Sequence, residues 1–173
     1  VLNIGGISNL SLIPSNTNKP VLGFDCGPGN VLMDGWIHRH QQKNFDAQGQ
    51  WARSGKVVPE LLESFLSEPF FSKPPPKSSG RDLFNLDWVD AHLTPKFTQA
   101  LPADIQATLL QLTAQSIVND LKRYGPNIER LIVCGGGSQN TFLIETLHVL
   151  SKAIGDLEIS FSNEYGLNTQ TVE

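Results

Sequence analysis

One carboxylate, Asp25, lies within residues 23–30, whose sequence is GFDCGPGN. The apolar run over 20–24 predicts a strand, the glycines and proline after Asp25 predict a turn, and Asn30 can cap a following helix. A carboxylate at the mouth of a strand-to-helix turn faces whatever binds there, which makes Asp25 a candidate general acid or base. The competing interpretation is an Asx-turn in which Asp25 caps the backbone of Gly27, and the residues alone leave both open.

A run of three glycines, Gly135–Gly137, separates a predicted strand from a predicted helix. Glycines in this position let backbone N–H groups approach a phosphate or nucleoside, and the helix that follows adds partial positive charge. The run matches neither the dinucleotide-binding fingerprint nor the Walker loop, because the other glycines and the lysine of those motifs are missing. Three glycines at such a junction are more often only a tight turn that binds nothing.

A glycine pair, Gly5-Gly6, lies in a predicted hairpin. Such a pair is ordinarily structural. Its neighbours Asn3, Ser8 and Asn9 are small and polar, however, and such side chains suit phosphate oxygens. The hairpin is therefore a second, weaker candidate for an anion-binding turn.

The other charged residues favour ordinary surface roles. Asp34 is expected to face solvent and to interact with the dipole of its helix. His38 and His40 have no partner Cys or carboxylate at metal-ligand spacing, so the sequence predicts surface histidines and no metal site. Lys77 and Arg81 can attract an anion, but a solvated loop is the simpler interpretation.

The chain contains two cysteines, Cys26 and Cys134, far apart in sequence and outside any CxxC pair. We expect free, buried thiols in a reducing compartment. Cys26 precedes a predicted helix start, where the pKa of a thiol can be lowered. No histidine partner accompanies it, so nucleophilic catalysis is not favoured.

The composition excludes some function classes. The 173 residues include 39% hydrophobic and 17% charged residues and carry a net charge of −4, as in a globular domain. No basic block indicates nucleic acid as a partner, and no apolar run approaches the length of a membrane span.

The order of predicted elements indicates one α/β domain with a mixed sheet flanked by helices. Strands are predicted over 2–4, 7–13, 20–24, 130–134 and 157–161. Helices are predicted over 31–41, 59–66, 86–92, 102–124 and 141–152. Residues 42–56 are expected to form a loop within an irregular insertion over 42–100. The chain starts inside a strand and 169–173 resemble the first turn of a helix, so we expect a fragment of a longer protein.

Four segments together resemble the anhydro-N-acetylmuramic acid kinase family in order and spacing. They are 2–10 (LNIGGISNL), 23–30 (GFDCGPGN), 77–81 (KSSGR) and 133–140 (VCGGGSQN). Two intervening segments, 51–56 (WARSGK) and 106–109 (QATL), are also similar to that family. The resemblance implies the ribonuclease H-like fold of the sugar-kinase, heat-shock-70 and actin superfamily, in which two domains enclose ATP. This chain would be the C-terminal-type domain, without the N-terminal domain and the last helix.

The resemblance also implies the roles of particular residues. Asp25 would be the catalytic base and, with Gly27, would contact the sugar. Residues 3–9 would form a phosphate loop and 135–140 the adenosine-side motif. The implied nucleotide contacts are Asn3, Gly5, Gly6, Ser8, Asn9, Gly135, Gly136, Gly137 and Asn140. Cys26 departs mildly from the family, where a small residue such as Thr is expected.

The implied reaction uses ATP and Mg²⁺ to phosphorylate O6 of 1,6-anhydro-N-acetylmuramic acid while water opens the anhydro bridge at C1. Its implied setting is peptidoglycan recycling in the bacterial cytoplasm, and the fragment alone is expected to be inactive and to self-associate or form a homodimer. Two alternatives stay open: a non-catalytic nucleotide-binding regulator of the same superfamily, and an interaction domain whose glycines only form turns.

Overall fold

A computed structural model describes residues 1–16, 18–97 and 99–167. Five strands and six α-helices are seen there, joined by short 3₁₀ turns. The elements, in chain order, are β1 (Leu2–Ile4), β2 (Ile7–Leu12), β3 (Leu22–Pro28), α1 (Val31–Gln41), α2 (Gln50–Ser54), α3 (Pro59–Leu66), α4 (Leu86–His92), α5 (Pro102–Tyr124), β4 (Arg130–Cys134), α6 (Thr141–Ser151) and β5 (Glu158–Phe161). No helix among these residues is both long and apolar enough to cross a bilayer.

The strands form one mixed sheet in the order β3-β2-β1-β4-β5. The first three strands make an antiparallel meander, while β4 pairs parallel to both β1 and β5. The predicted mixed sheet is confirmed. Because β1 and β4 are parallel neighbours, the turns that follow them leave the sheet at the same edge.

The long helix α5 organises the core. Pro102 occupies its first turn, where the missing N–H is tolerated, and the N–H of Gly125 closes its end on the carbonyl of Leu121. Its apolar stripe, which includes Leu109 and Leu112, is buried against β2 and β3, and the other α-helices except α4 pack around it. The buried side chains that alternate along β1 to β3 are apolar or small, and those of the opposite face include polar groups.

The predicted bounds of β3 are wrong. Strand β3 does not end at Phe24 but continues to Pro28, because Asp25 pairs with Asn9 and Gly27 with Ser8. A bulge between these two pairs leaves Cys26 as the extra residue. Asp25 therefore lies inside a strand, not at its end.

The predicted loop over 42–56 contains a helix, α2. The carboxylate of Asp46 accepts hydrogen bonds from the N–H groups of Trp51 (2.9 Å) and Ala52 (2.9 Å) and so satisfies the helix start. Helices α3 and α4 lie further along, within the predicted insertion over 42–100, and have the predicted bounds. The predicted helix start over 169–173 lies outside the described residues.

Candidate functional site

Two glycine turns meet at the edge of the sheet where β1 and β4 end. Gly5-Gly6 follows β1, and Gly135 follows β4 with a φ of +82°, a conformation that favours glycine. A Cβ at Gly135 would lie 2.7 Å from the carbonyl oxygen of Ile4 and would overlap Oδ1 of Asn3. The backbone of one turn therefore touches the strand that leads into the other.

The carbonyls of the Gly5-Gly6 turn accept hydrogen bonds from the start of α1, whereas its N–H groups do not bond to the described protein. The Gly6 carbonyl accepts from the N–H groups of Gly29 (2.9 Å) and Val31 (3.1 Å), and the Gly5 carbonyl accepts from the N–H of Asn30 (2.9 Å). The sequence predicts that the side chain of Asn30 caps α1, but it does not. It donates instead to the Gly5 carbonyl at 3.1 Å. Within the described residues, the N–H groups of Gly5 and Gly6 have no acceptor, so they are available to an anion.

A row of polar side chains crosses the first three strands on the face turned away from α5. Asn3 is opposite Asn9, and Asn9 is opposite Asp25. Neighbouring strands lie about 5 Å apart, so Asp25 is about 10 Å from Asn3. Oδ1 of Asn3 is buried and accepts no hydrogen bond from a described residue. An unpartnered buried acceptor next to the two glycine turns fits a bound ligand that supplies a donor.

The Asp25 carboxylate is held through one of its two oxygens, Oδ2. Oδ2 accepts from the N–H of Ser79 at 2.8 Å and from the hydroxyl of Ser78 at 3.1 Å. The N–H of Asp25 donates to the carbonyl of Lys77 at 3.0 Å. Of the two interpretations left open by the sequence, the Asx-turn onto Gly27 is not formed, because the partners come from a segment 53 and 54 residues further along the chain. No described residue donates to Oδ1, so that oxygen can accept a proton from a bound molecule.

An open groove of about 440 Å³ borders this carboxylate. Its polar lining comes from the exposed sheet face and from the segment beside β3, and includes Asn9, Ser11, Asp25 and Ser78. Amide and hydroxyl groups around one carboxylate are suited to a polyhydroxylated ligand.

Three predicted ligand contacts have other partners in the fold. The hydroxyl of Ser8 is buried and donates to the Gly27 carbonyl at 3.1 Å. Gly27 itself lies under Phe71, whose ring would be 2.7 Å from an added Cβ. Oδ1 of Asn140 accepts from the N–H of Leu143 at 3.1 Å and caps α6. The roles of these residues toward nucleotide or sugar stay predictions.

The sequence predicts a solvated loop at Lys77, but the Lys77 side chain is buried. Its side chain is 2% exposed, and Nζ lies 2.9 Å from Oδ2 of Asp120, which is 5% exposed. Arg81, His38 and His40 are exposed as predicted. Asp120, Ser78 and Ser79 were not singled out from the sequence, although the two serines belong to the KSSGR segment.

Two ionisable groups differ from the prediction. Both thiols are free and buried, as expected. The pKa of Cys26 is not lowered, however, because burial and the nearby Asp120 charge raise it well above its ordinary value. Asp34 does not lie freely in solvent, because burial and the charge of Asp46 raise its pKa to about 6, with Arg81 opposing them. Cys26 is consequently a protonated, packed thiol and not a nucleophile.

The mixed sheet, the helices that flank it and the glycine turns at one edge define an α/β domain of the sugar-kinase and actin-like ATPase class, as predicted. The family model for anhydro-N-acetylmuramic acid kinase matches residues 1–173. The chain belongs to this family.

Curated relatives agree with this assignment. A protein from Cupriavidus metallidurans named anhydro-N-acetylmuramic acid kinase is 51% identical over 169 residues, covering 94% of this chain and 44% of its own length. Proteins of the same name from Pasteurella multocida and Pseudomonas fluorescens are each 49% identical over 175 residues, covering 100% of this chain. The chain spans about half the length of the curated relatives that it matches.

Proposed function

We propose that this chain is the C-terminal-type domain of a two-domain kinase that uses ATP to convert 1,6-anhydro-N-acetylmuramic acid into N-acetylmuramic acid 6-phosphate. The observation that carries the proposal is the Asp25 carboxylate, which is anchored through Oδ2 by Ser78 and Ser79 and keeps Oδ1 without a described partner. Family membership supplies the substrate class. A non-catalytic module would have no need for a carboxylate held in this way.

In the proposed reaction Asp25 acts as the general base. Its free oxygen takes a proton from a water molecule, whose oxygen forms a bond to C1 of the sugar. The bond between C1 and the bridging oxygen breaks, and that oxygen, now O6, attacks the γ-phosphorus of ATP. The bond between the γ-phosphorus and its bridging oxygen breaks, and ADP leaves. The fixed orientation of Oδ2 directs the other oxygen toward the water and reduces the entropy that must be lost at the transition state.

The nucleotide phosphates would approach the two glycine turns. The free N–H groups of Gly5 and Gly6 can donate to phosphate oxygens, and Oδ1 of Asn3 lies against Gly135 in the neighbouring turn. The turn at Gly135–Gly137 leaves room for the nucleoside, because a Cβ at Gly136 would meet no atom within 4 Å. These features fit the predicted phosphate loop and adenosine-side motif.

Mg²⁺ would enter with the nucleotide. Among the described residues there is no group of three or more His, Cys, Asp and Glu side chains that could hold a metal ion. Mg²⁺ commonly keeps several waters and binds through substrate phosphates with one or two protein groups, and such binding needs no larger cluster. When bound, it offsets charge on the phosphates.

The reaction places the kinase in the recycling of peptidoglycan-derived amino sugars in the bacterial cytoplasm. The two buried, free thiols are compatible with a reducing compartment. The acidic net charge of −4 offers no attraction for nucleic acid.

The test is Asp25→Asn in the full-length kinase that contains this chain. We expect the turnover number to fall at least about 10²-fold, because asparagine cannot accept the proton, while the affinity for ATP stays nearly unchanged. Asp87→Asn, which removes an exposed carboxylate from α4, is the control and should keep full activity.

Near-normal turnover of the Asp25→Asn protein would remove Asp25 from the role of base. If an Asp25→Ala protein also kept its cellular function, a nucleotide-binding regulator would be the better description. Absence of ATP·Mg²⁺ binding by calorimetry on the full-length protein would instead favour an interaction domain.

A further inference from the structure

The position of the Asp25 carboxylate depends on a neighbouring segment, Lys77–Ser79. The carbonyl of Lys77 accepts from the Asp25 N–H at 3.0 Å, and Ser78 and Ser79 supply both donors to Oδ2. This segment has no regular secondary structure and follows three consecutive prolines. No helix or strand of its own therefore supports its hydrogen bonds to β3, and a further contact outside β3 can fix its position.

The side chain of Lys77 supplies that contact. It extends away from Asp25 into the core, where Nζ lies 2.9 Å from Oδ2 and 3.3 Å from Oδ1 of Asp120. The ammonium group also lies 4.9 Å from the ring centroid of Phe70 and 5.9 Å from that of Phe24. Asp120 belongs to α5, the most extensively packed helix. Among the described ion pairs, this is the buried one; the other three are at least 35% exposed on each partner.

Stability alone does not account for a buried ion pair. Removing two charges from water is costly, and apolar side chains of similar size are often as stabilising or more so. An ion pair with hydrogen bonds does provide a fixed direction and length, which apolar packing does not. The pair joins the rigid helix to the segment that holds the carboxylate.

We propose that Lys77 and Asp120 are positioning residues, which tie the segment Lys77–Ser79 to α5 and thereby set the orientation of the Asp25 carboxylate. The inference rests on the proposed function, since it assigns a purpose to the placement of the base. Neither residue is assigned contact with substrate. Their effect reaches the reaction through Ser78, Ser79 and the hydrogen bond from the Asp25 N–H to the Lys77 carbonyl.

The experiment uses the full-length kinase with the paired replacement Lys77→Met/Asp120→Leu. This change removes both charges together and leaves no unpaired buried ion, so the melting temperature should stay close to that of the unaltered protein. We expect the turnover number to fall at least about tenfold, because small displacements of a reacting group have large effects on rate, with the KM for ATP unchanged. A role in stability alone would not separate the turnover number from KM in this way.

The control is the same pair of replacements at an exposed ion pair, Arg130→Met/Glu158→Leu. Arg130 and Glu158 lie 3.0 Å apart at the start of β4 and β5, the end of the strands away from the glycine turns, and the turnover number should be unchanged. A second variant, Lys77→Gln/Asp120→Asn, removes both charges but keeps polar side chains that can form one neutral hydrogen bond. It should show a smaller loss of about threefold in turnover, and it decides the question if the paired core variant does not fold.

Asp25→Asn is measured alongside, so that two failures can be told apart. If Asp25→Asn keeps near-normal turnover, the proposed function of the carboxylate fails and the positioning role fails with it. If Asp25→Asn is inactive but the folded Lys77 and Asp120 variants turn over normally, the base assignment stands and the positioning role is overturned.

Discussion

Asp34 lies one turn into α1, where an ionised carboxylate would normally interact well with the helix dipole. Here burial and the charge of Asp46 outweigh that benefit and raise the pKa of Asp34 to about 6, above the ordinary value of 3.8. Between these two pH values the folded chain holds a proton that the unfolded chain has released. The free energy of unfolding therefore decreases as the pH rises from 4 to 6, and the full penalty is present at neutral pH.

We expect Asp34→Asn to stabilise the chain at pH 7 by about 1 kcal/mol, and to leave stability unchanged near pH 4. The full pKa difference would correspond to about 3 kcal/mol, but the carboxylate is partly exposed and solvent screens much of this. Urea denaturation of both proteins at several pH values between 4 and 8 measures the difference.

Asp87→Asn is the matched control, because Asp87 lies in the first turn of α4 but is exposed. It should show no gain at neutral pH. An Asp34→Asn protein that gained nothing at pH 7, or gained equally at pH 4, would contradict the assignment of a buried, reluctant carboxylate.

Single residues also show where sequence reasoning reaches its limit. Asp25 could be singled out because an acid among glycines has little local cover. Lys77 was misjudged as solvated, since its partner, Asp120, lies 43 residues away and only the fold brings them together. The same applies to the serines that hold Asp25. The sequence shows which side chains carry a charge, but tertiary packing decides which of them are buried and which groups they contact.

At the scale of elements, the turn after β4 carries a strict backbone requirement. Gly135 has a φ of +82°, and an added Cβ would meet the Ile4 carbonyl and Asn3. Its neighbour Gly136 has no such constraint, because nothing lies within 4 Å of an added Cβ. The two adjacent glycines therefore allow a comparison within one turn.

We predict that Gly135→Ala lowers the free energy of unfolding by at least about 1–2 kcal/mol and weakens nucleotide binding by the full-length protein. Gly136→Ala should be neutral or slightly stabilising, because alanine restricts the unfolded chain without strain in the folded one. Denaturation midpoints and calorimetry with ATP·Mg²⁺ measure both effects. Equal denaturation midpoints of the two variants would show that the turn is not constrained as described.

The elements themselves were largely predictable where one signal dominated. Helix α5 has a long apolar stripe, a proline at its start and a glycine at its end, and its predicted bounds are confirmed. Helix α2 was missed because its start is satisfied by Asp46, four residues upstream, instead of by a residue at the cap position. Strand β3 was cut short because Gly and Pro usually end a strand, whereas here pairing with β2 continues through a bulge.

At the scale of the whole molecule, one end of the sheet is poorly covered. Ile13, Val21 and Leu22 are 65%, 58% and 37% exposed and lie together where β2 and β3 connect. Strand β3 is also the edge of the described sheet, and only its Asp25 portion is bonded to the segment Lys77–Ser79. An exposed strand edge next to apolar side chains is a surface at which chains associate.

We therefore expect the 173-residue chain to self-associate, so that its sedimentation coefficient rises with protein concentration. Ile13→Asp/Val21→Lys should weaken this association, because charged side chains at an edge oppose pairing with a second sheet. Val149→Asp, at an equally exposed apolar residue on α6, should leave it unchanged, since that residue lies on a helix and not at the strand edge. Sedimentation of the unaltered chain as one monomeric species over the whole concentration range would contradict the prediction. Equal weakening by both variants would show that exposed apolar area in general, and not the edge of β3, drives association.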